Sequence, residues 1–148
     1  MRVILSASEV EVSYDGDVAL LVLLRNDSIY PLRVFGQVGF GLSAGLVLHI
    51  VDESGAPVQS PFLLDAQVRP PKRDDPHSLV HLEGGLSLGV NLTGPAKDLF
   101  PSRGRYRLHV TYLCPVRQGY LRAVDSEVTT VWRESGVWES EEIAITVK

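Results

Sequence analysis

A side-chain alternation of period two recurs along most of this chain and narrows its folding options more than any other feature. It is clearest after Gly104. Tyr106, Leu108, Val110 and Tyr112 fall on one side, and Arg105, Arg107, His109 and Thr111 on the other. An extended strand with one face in a core and one in water produces that pattern. No segment sustains the period of about 3.6 that an amphipathic helix requires.

Other segments repeat the theme. Val10, Val12 and Tyr14 alternate with polar residues, and Asp15-Gly16-Asp17 makes a turn. An apolar run from Val18 to Leu24 follows, so the first thirty or so residues read as two antiparallel strands and a turn. Leu32 to Leu42 keep the alternation, but Gly36, Gly39 and Gly41 interrupt it, which predicts bulges or irregular loop. Leu46 to Val51 forms a cleaner strand, closed by Asp52-Glu53-Ser54-Gly55, and Val58 begins a short return. Residues 79–82 and 86–92 read as a hairpin around Glu83-Gly84-Gly85, and 95–101 as one helical turn around Ala96-Lys97-Asp98-Leu99. Residues 113–136 form a long hairpin or an extended crossover. Ile143, Ile145 and Val147 close the chain as a final strand.

Residues 60–77 differ in character. Pro61, Pro70, Pro71 and Pro76 break any ladder, which predicts a long loop. The fold class is therefore all-β. About seven to nine antiparallel strands form a sandwich of the immunoglobulin-like kind, with a long loop at 60–77 and an excursion at 113–136. No boundary divides residues 1–148, so one domain is expected.

The order of these segments carries a resemblance. It runs from Asn26-Asp27-Ser28 and Pro31-Leu32, through the stretch from Val51 to Val58, to Leu79 to Gly85 and then Gly104 to Tyr112. It resembles the immunoglobulin-like noncatalytic domains of secreted bacterial peptidases of the deuterolysin type. It is also similar to the intracellular proteinase inhibitor family of Bacillus. The resemblance spans about residues 10–112 and implies a sandwich; no functional residue carries over from either family. The His-Glu-x-x-His of a zinc peptidase does not occur. Sandwiches of this kind often tie down a loop with a tyrosine at the start of a late strand, which is the place of Tyr106.

Composition and motifs narrow the function. The 14 basic and 18 acidic residues give a net charge of -4, which argues against a broadly basic nucleic-acid binder. A single cysteine excludes an internal disulfide and a thiolate metal cluster. No apolar run approaches the ~18 residues of a membrane-spanning helix. The apolar stretch after Arg2 is too short for a signal peptide. The protein is cytoplasmic if Met1 is the native start and extracytoplasmic if a leader has been removed.

Copper chemistry on a sandwich needs two His, a Cys and usually a Met, and Cys114 is followed by Pro115-Val116-Arg117 with no His. On one strand, an offset of five places His109 and Cys114 on opposite faces, so they form no nucleophile–base pair. Cys114 reads as a small buried hydrophobe. His77 and His81 share a face without a third ligand. No nucleophile elbow surrounds any serine, and glycines 36–45 precede a strand rather than a phosphate-binding helix. No cofactor and no metal are expected, and no enzymatic activity. Asn26-Asp27-Ser28 and Asn91-Leu92-Thr93 match the glycan acceptor pattern, or match it by coincidence.

What remains is binding. Arg69, Lys72 and Arg73 lie on the proline-stiffened 60–77 loop, and Trp132 and Trp138 flank the end of the 113–136 excursion. Both groups are candidate partner contacts, since a stiff loop loses little entropy on docking and Trp is enriched at interface hot spots. Arg105, Arg107 and His109 are a candidate anion-binding face. The alternative is pairing with the acids of 125–142 on a neighbouring strand. The expected role is a protein-binding or accessory module. A proteinase inhibitor that presents the 60–77 loop is the alternative, and unpaired edge strands leave self-association open.

Overall fold

The computed structural model describes residues 1–59, 75, 78–121, 124 and 127–148. The protein is all-β, and the described residues form twelve strands in three sheets where seven to nine strands were expected. Several of the additional strands are two-residue pieces, too short to leave a periodic trace in the sequence.

The first sheet holds β1 (Arg2–Ala7), β3 (Asp17–Arg25) and β8 (Ser87–Pro95), in the order β1-β3-β8. The second holds β4 (Leu32–Phe35), β7 (Leu79–Leu82) and β10 (Thr129–Thr130), in the order β10-β4-β7. The third contains β2 (Glu11–Val12), β5 (Gly39–Phe40), β6 (Gly45–Val51), β9 (Gly104–Tyr112) and β12 (Ile143–Val147) in the order β2-β12-β9-β6-β5. Its sixth strand, β11 (Trp138–Glu139), pairs with the far end of β9. A single helical turn, α1 (Ala96–Leu99), lies where the sequence placed it.

Alternation builds the core. Val18, Leu20, Val22 and Leu24 of β3 are buried, as are Tyr106, Leu108, Val110 and Tyr112 of β9. One cluster of buried side chains runs through all three sheets. Each such side chain contributes about 1.5–3 kcal/mol on burial. Gly45 is held at φ +95°, and a Cβ there would stand 3.0 Å from the Tyr112 ring and 3.1 Å from the Leu113 carbonyl, so only glycine fits.

Strand partners differ from expectation in two places. The N-terminal hairpin does not form. β3 pairs instead with β1, in register from Arg2 opposite Arg25 to Ala7 opposite Leu20. β2 crosses to the third sheet and lies parallel to β12. Likewise β7 and β8, joined by the tight Glu83 turn, do not pair with each other. β7 joins β4 and β8 joins β3. The excursion after Cys114 is a crossover, because β10 pairs parallel with β4 in the second sheet. Period two reports which face of a strand is buried and says nothing about its neighbour, so both hairpin errors have one origin.

Candidate functional site

Asn26 organises one end of the molecule. It directly follows β3, is fully buried, and is the centre of a hydrogen-bond cluster. Its Nδ2 donates to the Leu82 carbonyl at 2.9 Å and to the Tyr30 carbonyl at 2.7 Å. Its Oδ1 accepts from the Ser28 amide at 3.0 Å and the Ser28 hydroxyl at 2.7 Å. The backbone is held as well: Asn26 N–H donates to the Leu86 carbonyl, and Gly85 N–H donates to the Asn26 carbonyl. Asn and Ser close such local turns because their short side chains reach backbone groups two residues away.

The loop so fixed turns its next two side chains outward. Ile29 is 85% exposed and Tyr30 70%. Leu86, on the neighbouring turn, is 56% exposed. The two loops abut through Gly84, where a Cβ would stand 2.5 Å from the Ser28 carbonyl oxygen. Around this apolar tip lie Arg2, Arg25, Asp27 and Glu83, and Asp27 bridges Arg2 at 3.0 Å and Arg25 at 2.9 Å. The rim is thus polar and nearly balanced in charge.

The second cluster is the outer face of the third sheet. Arg105, Arg107 and His109 share this face, as their alternation required. Arg107 pairs with Glu142 at 3.4 Å, joining the basic segment to the acidic one across adjacent strands. Arg105 and Arg107 line a groove of about 490 Å³ together with Glu53 and Glu142, so both signs of charge meet there. His109 stands opposite His49 of β6, with parallel rings 4.5 Å apart between centroids. The His49 Nε2 lies 3.1 Å from the Thr111 hydroxyl. Burial, and next the neighbouring His109, hold His49 below its ordinary value, while Glu139 pulls the other way. Among the described residues no three His, Cys, Asp or Glu side chains are grouped to hold a metal ion.

The remaining sequence candidates fall as follows. Arg69, Lys72, Arg73 and His77 lie outside the described residues. Trp132 and Trp138 are half-buried and pack against the core. Trp138 lies 6.0 Å from the Tyr112 ring, and a 3₁₀ turn over Arg133–Ser135 separates it from Trp132. Cys114 is buried on the face opposite His109, and burial pushes its thiol up. His81 faces Arg33, whose Nη2 lies 3.0 Å from its Nε2. Asn26, the first of the two glycan-pattern asparagines, has its amide wholly engaged inside the fold, which leaves no room for a sugar. Asn91 is exposed on β8.

Sequence comparison found no matching family model and no similar curated protein. Among the described residues no helix is long and apolar enough to cross a membrane.

Ile29, Tyr30 and Leu86 were missed from sequence. Their signal was present in Asn26-Asp27-Ser28, which is an Asx-turn pattern as well as a glycan pattern. The stacked histidines could not be found that way, because they come from strands whose pairing the sequence does not state.

Proposed function

We propose that this chain is a non-enzymatic protein-binding module, an accessory or assembly unit on an immunoglobulin-like β-sandwich scaffold. Three features support the scaffold reading. The first strand is split between two sheets as β1 and β2. The β6-β9-β12 strands form a continuous antiparallel unit. Tyr106 donates its hydroxyl to the loop before its own strand.

The observation that carries the binding role is the rigid Ile29–Tyr30 tip beside Leu86. Large apolar side chains held out in water by a buried hydrogen-bond cluster have little disorder left to lose on docking. An apolar centre with a polar rim is the anatomy of a protein interface, with tyrosine among the residues that dominate binding energy. The balanced rim of Arg2, Arg25, Asp27 and Glu83 suits a folded protein surface that offers an apolar pocket.

The test compares proteins captured from source-cell extract by the parent chain and by the double variant Ile29→Ser, Tyr30→Ser. Both side chains are solvent-exposed, so the variant keeps its fold, checked by circular dichroism and melting temperature. A specific partner captured by the parent and lost by the variant is the expected result. Equal capture by both would overturn the assignment to this tip.

A further inference from the structure

β8 is an edge strand without the usual safeguards. Among the described residues it pairs with β3 alone, over nine residues in unbroken register from Asp17 opposite Pro95 to Arg25 opposite Ser87. Natural edge strands are blunted by charge, by bulges, by proline or by shortness. From Ser87 to Gly94 the strand has no charged side chain, no bulge and no proline; Pro95 only ends it. β1, at the other edge of the same sheet, is different. It carries Arg2 and borders a groove lined by Glu139 of β11 and by Glu141 and Glu142, which lead into β12. β7 is only four residues long.

A second feature points the same way. The inward-facing side chains of β8 are Leu88, Val90 and Leu92. Leu92 is buried, but Leu88 and Val90 are only half-buried although they face the core. Their partners on β3, Leu24 and Val22, are fully buried. The apolar layer therefore runs out to the edge and stops uncovered there.

We infer that β8 is a self-pairing edge, and that its occupant is a second copy of this chain laid antiparallel along it about a two-fold axis at Asn91. The sequence is complementary to itself in that register. Val90 then faces Leu92 of the other copy, Leu88 faces Gly94, Gly89 faces Thr93 and Ser87 faces Pro95. Opposed residues share a face of the sheet, so the half-covered Leu88 and Val90 meet the inward row of the other copy and the core layers become continuous. No like charges oppose each other anywhere along the strand. The three-stranded sheets of the two copies join as one six-stranded sheet. One added strand pair lies at the small end of stable interfaces, below about 1,200 Å² in total, so association is in the micromolar to millimolar range.

Sedimentation velocity over that concentration range tests the inference. The parent chain is expected to show a reversible monomer–dimer equilibrium. Asn91→Lys places two like charges across the two-fold axis on the exposed face, and is expected to raise the dissociation constant about fivefold or more without lowering the melting temperature. The register has its own test. Under mild oxidation Asn91→Cys is expected to cross-link to itself, whereas Ser87→Cys, which lies opposite Pro95, is not; the buried Cys114 stays out of the reaction. A chain that remains monomeric throughout would overturn the inference. A dimer that ignores Asn91→Lys, or that cross-links equally through both cysteine variants, would also overturn it. The Ile29→Ser, Tyr30→Ser variant is expected to dimerise as the parent does, so this result and that of the partner-binding tip are read separately.

Discussion

The hydroxyl of Tyr106 donates to the backbone carbonyl of Ser102 at 2.8 Å, four residues back along the chain, and lies 3.1 Å from the Ser102 hydroxyl. The ring is buried against Phe100, with centroids 4.8 Å apart. The link fixes the turn that leads from α1 into β9, the strand on which the third sheet is built. Tyr106→Phe keeps the packing and removes the link. A loss of about 1 kcal/mol is expected, or about 2–4 °C in melting temperature for a chain of this size. An unchanged melting temperature would show that the turn holds without it.

Asn26 is a larger liability. Asn26→Ala takes the Nδ2 donor from the buried Leu82 carbonyl and the Oδ1 acceptor from the Ser28 amide, and leaves the Tyr30 carbonyl to the Ser28 hydroxyl alone. Buried polar groups that lose a partner cost about 1–3 kcal/mol each, so about 3 kcal/mol in all is expected from chemical denaturation. Amide exchange at Ser28 is expected to quicken with it, because the same side chain holds the tip in place.

Those two residues mark what the sequence could and could not disclose. Tyr106 was legible because its role depends on local offsets: a glycine, a strand start and a loop within a few residues. The buried face of β9 was legible for the same reason. Asn26 was read only as a glycan acceptor or a coincidental match to that pattern, since one of its partners, Leu82, is 56 residues away. Separation along the chain, short or long, likewise hid the pairing of β3 with β1 and of β10 with β4. Patterns of two residues describe a strand by itself, whereas sites are assembled from strands far apart in the chain.

His49 makes stability depend on pH. Its folded value is lowered, chiefly by burial and next by His109. The unfolded chain therefore takes up a proton first as pH falls through the ordinary value of 6.5. Stability is fully present above that pH and declines as pH drops toward the lower folded value. His109→Gln removes one of the two depressing causes and is expected to move the His49 titration upward, as followed by its imidazole proton resonance. A parent His49 that titrates at or above the ordinary value would contradict the stacked geometry.

Cys114 is expected to be inert in the folded state. It is fully buried, burial raises its thiol, and its Sγ is directed at the Val116 carbonyl at 3.8 Å. Thiolate, not thiol, reacts with disulfide reagents. Labelling is therefore expected to follow unfolding, with a rate that rises steeply with denaturant. Rapid labelling in native buffer would place the sulfur at the surface.

The short parallel strand β2 has a mechanical meaning. It is tied to β12 by Thr146 N–H to the Val10 carbonyl and by Lys148 N–H to the Val12 carbonyl, and Tyr14 N–H donates to Lys148 in return. The Lys148 ammonium also meets the Glu11 carboxylate. Because the strands run in the same direction, tension between the two ends of the chain drags them past each other along their length. The bonds then bear load together instead of opening one after another like a zip. A chain strung in series with others through its termini would load β1 against β3 and then this clasp, only a few residues long.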